Sequence, residues 1–541
     1  MELDKKNNPD MVADDEVTDQ LARLANQDEH DIGKRESFRR FPKSCLWCLY
    51  AVFLVLLGSF ENQAAGVILG IPKFREDFGH HFNDEHVIDA SWQAAFNGAP
   101  IATAVMGALG GGQLADWIGR KKVIMMALVI AYGAITMELL ATSPALFLGG
   151  KLLNGFSIGA IQGITVTYIG EVTPLALRGI FTCLSALSYT IGPLIVALIV
   201  NETGDLPNRW AYRAVFVAQY GFAAIATLFV AFMPESPWWL ASKDRDEAAL
   251  KSLNNLGHRG DEGQKRLAAI KHTLAQVSSE TAGATYIECF RKSNLRRTIV
   301  SIAPLCIQSL SGVMFAAGYS TYYMQRAGYS TAMSFKLQIT QQVLSTIGNV
   351  ISWWLIDRVG RRSLTFWGLF VLTIILFATG SLAIFADREP GGPEARATVA
   401  FILIYCWWYN ATIGATAYTV LCEVSTSRLR IKTIAIGLAA QNSLNVMFSF
   451  VLPYLFNPDH LNLGAKISYI FGVLAIISLV FLWFYHPETA GRTYEELDEM
   501  FMKKVPARKF KSYQPDTAAM GEVVKAAFEK EELQGEVTHR A

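Results

Sequence analysis

Of 541 residues, 52% are hydrophobic and only 18% charged, with a net charge of +1 and a mean hydropathy of +0.26. A soluble chain carries about 25% charge, so the deficit points to lipid, and the neutral balance leaves no electrostatic case for nucleic acid. Seven cysteines (Cys45, Cys48, Cys183, Cys289, Cys306, Cys406 and Cys422) lie mostly in apolar segments, a spacing that excludes a secreted disulfide framework and reads as buried thiols.

The first ~40 residues are polar and mixed in charge, so the sequence predicts no cleavable leader and a first apolar run that acts as a signal anchor. A bilayer core needs about 20 apolar residues per helix. Such runs occur at 45–71, 90–113, 122–142, 146–168, 181–201 and 212–233, then at 299–323, 335–357, 364–386, 399–421, 433–456 and 466–486. The expected fold is therefore an all-α membrane protein of twelve transmembrane helices. Its divisions are a tail at 1–44, a six-helix bundle at 45–233, a hydrophilic helical linker at 234–298, a second bundle at 299–486 and a tail at 487–541. Within that tail, 502–541 reads as mostly disordered.

Basic residues fix the expected orientation. Arg39, Arg40 and Lys43 precede span 1, Arg120–Lys122 follow span 2, Arg178 follows span 4, and Arg296 and Arg297 precede span 7. Arg358, Arg361 and Arg362 follow span 8, and Arg428, Arg430 and Lys432 separate spans 10 and 11. All fall on one side, which places both termini in the cytoplasm. Asn201-Glu-Thr203, on the opposite side, is a candidate glycosylation acceptor.

The same ends carry an internal duplication. Asp116-Trp-Ile-Gly-Arg-Lys-Lys122 after span 2 recurs as Asp357-Arg-Val-Gly-Arg-Arg362 after span 8. Glu171 with Arg178 recurs as Glu423 with Arg430, and Pro234-Glu235-Ser recurs as Pro487-Glu488-Thr. Two pseudo-symmetric halves around a central cleft form the layout of a rocking transporter. The repeated acids and bases, namely Asp116, Arg120, Glu171, Arg178, Glu235, Asp357, Arg361, Glu423, Arg430 and Glu488, are expected to form a cytoplasmic gate. As a network they can bias a two-state equilibrium. Positive-inside topology alone does not require the acids.

These motifs, together with Tyr168-x-x-Glu171-x-x-Pro174-x-x-x-Arg178-Gly179 and Pro487-Glu-Thr-Ala-Gly491, resemble the sugar porter family of the major facilitator superfamily. The second half is most similar to fungal maltose/α-glucoside permeases, through Gly318-Tyr-Ser-Thr-Tyr322, Cys422-Glu423 and Ser427-Arg-Leu-Arg430. The resemblance implies uptake of a mono- or disaccharide, commonly with protons, through the plasma membrane by a monomer. The chain departs from the family pattern at several sites: Ala186 and Met314 stand where amides are usual, Ser309 follows Gln308 in place of a second glutamine, and Tyr418 takes the place of a tryptophan.

Two groups of residues are candidates for chemistry. Glu61 lies inside span 1, where a bare charge costs about 3 kcal/mol and calls for a partner. By resemblance its partner is Lys151 in span 4, giving a proton-coupling pair, and Glu138 in span 3 is a further intramembrane acid, set aside because span 3 is peripheral in that family. For a hydroxyl-rich solute, amides that donate and accept are needed. Gln308 and Ser311 at i, i+3 and Gln441 and Asn445 at i, i+4 supply them, with Tyr418 as aromatic wall and Tyr319 and Tyr322 as wall or outer gate. Gly155, Gly159 and Gly163, four apart, read as close helix packing.

No nucleophile–base or metal-ligand constellation appears, so neither an enzyme nor a metal or cofactor is expected. A porter for a polyol, cyclic acid or secondary metabolite, and a sugar sensor that moves nothing, remain as alternatives.

Overall fold

The computed structural model describes residues 32–82, 85–281, 285–386, 392–425, 429–457, 460–490, 492 and 494–513. The first half contains α1 (Pro42–Ile68), α2 (Ala90–Ile118), α3 (Arg120–Leu140), α4 (Pro144–Val172), α5 (Arg178–Thr203) and α6 (Trp210–Val230). The second contains α7, in three pieces (Lys292–Leu310, Val313–Gly318 and Ser320–Arg326), α8 (Thr331–Val359), α9 (Arg361–Ala386), α10, in two pieces (Pro393–Ala411 and Ile413–Val424), α11 (Arg430–Phe456) and α12 (Ser468–Tyr485). Prolines start α1, α4 and the first piece of α10, where a missing N–H costs nothing. Ser143 and Ser330 cap α4 and α8 through Leu146 N and Met333 N.

Among the described residues, nine of these helices are long and apolar enough to cross a bilayer. α2, α7 and α8 fall short of that measure for a physical reason. α7 is broken, and α2 and α8 carry amides that neighbouring helices shield from lipid, with Gln93, Gln338 and Gln341 each buried. The twelve helices form the two six-helix bundles of the major facilitator fold.

Inside the first bundle α4 lies directly on α2. A Cβ at Gly155 or Gly159 would strike the carbonyls of Pro100 and Ala104, and one at Gly107 that of Phe156, so the glycine stripe sets the helix spacing. Between bundles, α2 meets α11 and α5 meets α8. Gly98 faces the Phe450 ring, and Gly66 sits so close to the Gly318 carbonyl that a Cβ would lie 2.9 Å from it. Hydrogen bonds joining the halves gather at the end away from the described termini. Gln93 Nε2 donates to Asn457 Oδ1 (3.1 Å), Asn97 Nδ2 to Tyr319 Oη (3.3 Å), Arg75 Nη2 to Gln325 Oε1 (2.9 Å) and Gln325 Nε2 to Gly70 O (2.7 Å).

The linker folds as helices Pro237–Ser242, Asp246–Leu256 and Asp261–Thr281 around Trp239, Leu240, Leu253 and Ile270. It is tied to the first bundle by Ser44 Oγ to Leu256 O (3.0 Å), Trp239 Nε1 to Asp116 O (3.0 Å) and Arg40 to Glu262 (3.0 Å). Beyond α12, helix Tyr494–Met502 and residues to 513 fold back on the second half, while 514–541, the greater part of the stretch expected to be disordered, lies outside the described residues. Arg296 Nη2 donates to Val505 O at 2.8 Å, and the Arg297 guanidinium lies 4.9 Å from the Phe501 ring. Val505, Ala507 and Phe510 supply the buried contacts.

His258 closes the seam between linker and α1. It is 6% exposed, its ring centroid lies 4.3 Å from that of Phe41, and burial with Arg266 and Arg40 nearby lowers its pKa from the ordinary 6.5 to about 3. A base whose folded pKa is depressed contributes stability above its unfolded pKa and loses it as pH falls from 6.5 toward 3. At pH 5 the loss is about 2 kcal/mol, about 1.4 kcal/mol for each pH unit below the unfolded value. The protection factors of amides in Asp246–Leu256, which already divide out the intrinsic rate, should therefore fall by up to about thirtyfold from pH 7.5 to 5, and His258→Phe should remove that fall.

Candidate functional site

A charged cluster occupies the interior of the first bundle. α1 brings Glu61, α3 brings Glu138 and α4 brings Lys151, whose Nζ lies 2.5 Å from Glu61 Oε1 and 3.4 Å from Glu138 Oε2. Lys151 and Glu138 are fully buried and Glu61 is 4% exposed. Asn154, one turn along α4, donates from Nδ2 to Glu138 Oε1 at 3.1 Å. The Phe147 and Phe216 rings lie 5.5 and 5.3 Å from the ammonium and close the cluster on its apolar side. In such surroundings an unpaired ion is costly, and two carboxylates sharing one ammonium leave one negative charge for a proton to neutralise. Glu138, set aside in the sequence reading, is thus a full member of the cluster.

The amides of the second bundle form a connected network. Gln308 Nε2 donates to the carbonyls of Ile413 (3.0 Å) and Gly414 (3.1 Å), in the first turn after the break in α10. Gln441 Nε2 donates to Gln308 Oε1 at 2.8 Å, and Tyr418 Oη donates to Gln441 Oε1 at 3.4 Å. Ser309 Oγ donates to Asn445 Oδ1 at 2.7 Å. The structure brings Gln308, Tyr418, Gln441 and Asn445 together, but Ser311 stands apart. α7 ends at Leu310, Gly312 adopts φ +94°, and the helical spacing that put Ser311 on the face of Gln308 stops there. Ser311 is buried and bonds Gln308 O and the Tyr405 hydroxyl, while Ser309, also buried, holds Asn445. Tyr418 is 50% exposed, and Tyr189 of α5, 49% exposed, lies beside it across the gap between halves. Tyr189 escaped the sequence reading because a single tyrosine in an apolar span carries no periodic signal.

The gate motifs repeat in atomic detail. Arg120 Nη2 pairs with Glu171 Oε1 at 2.9 Å, and Arg361 Nη2 with Glu423 Oε1 at 3.1 Å. Arg120 Nη1 donates to Ala115 O, and Arg361 Nη1 to Ile356 O, both at 3.1 Å. Asp116 pairs with Arg120 at 3.2 Å. Glu235 Oε1 accepts from Arg120 N and Glu488 Oε1 from Arg361 N, each at 2.8 Å, so these acids cap the first turns of α3 and α9. The side chains of Arg178, Asp357 and Arg430 lie outside the described ones. At the far end, Asn201 sits in the last turn of α5 with its amide on Glu202, and the Thr203 hydroxyl donates to Ile199 O and Ala211 O.

A duplicated twelve-helix bundle with these motifs has known relatives. The sequence profile described as sugar (and other) transporter matches residues 47–501. The chain belongs to the sugar (and other) transporter family. A general α-glucoside permease of Saccharomyces cerevisiae is 28% identical over 528 residues, covering 95% of this chain and 84% of that protein. A maltose permease of the same yeast is 30% identical over 546 residues, covering 98% and 87%. Among solved structures, the inward open conformation of the xylose transporter XylE from E. coli superposes with a TM-score of 0.69 at 19% identity. It covers 84% of this chain and 99% of that one. The partially occluded inward open form of XylE gives a TM-score of 0.67 at 18% identity, covering 82% and 98%. This member of the sugar (and other) transporter family is a multi-pass membrane protein and not an enzyme.

The glycine of each gate loop is fixed twice over. Gly119 and Gly360 have φ of +103° and +90°, and a Cβ on either would run into the capping carboxylate, at Gly360 within 2.6 Å of Glu488 Oε2. Gly360→Ala should cost about 1–3 kcal/mol and lower the unfolding midpoint of detergent-purified protein by several degrees. Val359→Ala beside it, on an exposed position, should leave the midpoint within a degree.

Proposed function

We propose that this chain imports a neutral sugar of mono- or disaccharide size together with protons, by alternating access, as a monomer in the plasma membrane with both termini in the cytoplasm. The observation that carries the reading is the polar network of Gln308, Gln441, Asn445 and Tyr418 at the meeting of the bundles, with an ion cluster sealed in the first bundle. Each amide there offers both a donor and an acceptor, and hydroxyls of a sugar can replace those bonds group for group. Half-exposed Tyr418 and Tyr189 supply rings for the apolar face of a pyranose. The permeases of yeast named above support an α-glucoside, and the XylE likeness supports the fold in which such a site opens to either side.

Direction follows from charge and contact. Arg39, Arg40, Lys43, Lys121, Lys122, Arg296, Arg297, Arg358 and Arg362 all sit at the end that carries the described termini, which the positive-inside rule makes cytoplasmic. Among the described residues, the hydrogen bonds that join the halves, Asn97–Tyr319 and Gln93–Asn457 included, lie at the other end. The site therefore faces inward, and Tyr319 and Tyr322 act as the outer closure rather than the wall. Importing requires those bonds to break as the two gate motifs swing together.

The coupling role goes to Glu61 and Lys151. A protonated Glu61 releases the bond between α1 and α4, so proton binding and release change the grip between two helices that line different parts of the bundle. A non-sugar solute is the second reading, favoured by Ala186 and Met314, which remove two amides from the family pattern.

In transporter-null yeast, labelled maltose, glucose and lactose are compared with and without a protonophore. The expected result is accumulation of maltose or glucose that the protonophore abolishes, and loss of accumulation in Glu61→Gln. Uptake that survives the protonophore sinks the coupling, and no uptake of any of the three sugars sinks the sugar assignment. Gln441→Ala, which removes a bond to Gln308, should raise KM about tenfold, equivalent to about 1.4 kcal/mol, with less change in the maximal rate.

A further inference from the structure

Lys151 has two counter-ions where a simple coupling pair needs one. Among the described residues, the charged groups that face it are Glu61 from α1 and Glu138 from α3, while α6 adds the Phe216 ring. Glu138 is held for this arrangement. Gly150 on α4 clears space for it, since a Cβ there would lie 2.7 Å from Glu138 Cγ. Asn154 fixes Oε1 at 3.1 Å and leaves Oε2 toward the ammonium. Among the described residues, Glu138 Oε2 and Glu61 Oε2 accept no hydrogen bond, so each carboxylate has unused capacity toward Lys151.

We propose that Glu138 is the second station of Lys151: when a proton neutralises Glu61, the ammonium shifts to Glu138. The inference rests on the proton-coupling reading above and adds a positioning residue to it. Protonating Glu61 in a cluster without Glu138 would strand a bare ammonium between two aromatic rings, which opposes protonation. With Glu138 at 3.4 Å, a movement of Nζ by well under the length of one bond restores a full ion pair. The protonated cluster is then neutral, with Lys151 balanced by Glu138 and Glu61 uncharged. The bond between α1 and α4 is given up as the one between α3 and α4 tightens. Glu138 thereby sets the proton concentration at which Glu61 loads.

The test is the pH profile of labelled maltose uptake, corrected for the amount of protein at the cell surface. Removing Glu138 makes loading of Glu61 harder, so Glu138→Gln should move the half-maximal pH at least one unit toward acid, a tenfold higher proton concentration. Glu138→Asp, which keeps the charge, should return most of that shift. Asn154→Leu removes the donor that supports the Glu138 anion and should shift the profile in the same direction by a smaller amount, and it decides the matter where Glu138→Gln fails to reach the surface. An unchanged midpoint in Glu138→Gln, or an alkaline shift in Asn154→Leu, overturns the hand-off; the latter would make Glu138 the proton carrier itself. A wild-type profile that is flat with pH overturns the coupling reading beneath it.

Discussion

Backbone amides in a bilayer have no water to turn to, so every N–H and C=O must find a partner inside the protein. Wherever a helix is interrupted, that demand falls on side chains of its neighbours. α7 breaks at Ser311–Gly312 and again at Tyr319, and α8 answers with Gln341, which donates to Ala316 O at 3.0 Å, and with Gln338, which accepts from Ser320 and Thr321. α10 breaks at Thr412, and Gln308 reaches across to the carbonyls that follow. Gln308 is the one member of the proposed solute site that also braces a break; Gln441 bonds Gln308, and Asn445 bonds the neighbouring Ser309. The proposed site thus lies beside opened backbone, with its amides already held in place.

Charge obeys a stricter version of the rule. An ammonium with 0% exposure is tolerable only with anions against it, and α1, α3 and α4 each contribute one member of the cluster. The aromatic rings of Phe147 and Phe216 exclude water from that cluster, which strengthens the ionic bonds and raises the cost of breaking any one of them alone. At the helix ends the charges are partly wet, and there the same residue types do milder work as caps and braces. Arg120 and Arg361 each serve a carboxylate and a carbonyl of the preceding helix at once.

Much of this was legible in the sequence because it repeats or recurs at fixed spacing. The doubled Asp-x-x-Gly-Arg loops, the paired Pro-Glu motifs and the glycine stripe of α4 each carry a physical requirement that few residues satisfy, and each sits in the structure where that requirement applies. Residues without period or partner in sequence were harder to place. Helical spacing puts Ser311 beside Gln308, yet its hydroxyl is spent on Gln308 O and Tyr405 inside the second bundle. Glu138 was discounted because α3 is peripheral, although one turn of that helix reaches the interior through the gap left by Gly150. Glu235 and Glu488 read as gate charges, and their further service as helix caps emerges only from backbone geometry at Gly119 and Gly360.

The two halves have kept their ends alike and let their middles diverge, and this follows from what each region must do. Both bundles turn their chain at that end through the same loop, so both need the same brace of arginine, carboxylates and positive-φ glycine. The mid-bilayer positions have no such common duty. The first bundle keeps unbroken helices around an ion cluster, and the second keeps broken helices around amides. The seam between these regions is narrow: Gly66 on α1 packs on the Gly318 carbonyl of α7, and Asn97 on α2 bonds Tyr319. α1 also carries Glu61, five residues before Gly66. Under the coupling proposed above, a change in the grip of α4 on α1 would be delivered along one rigid helix to the point where α7 is broken, and would link the proposed proton site to the closure over the proposed solute site without any residue common to both.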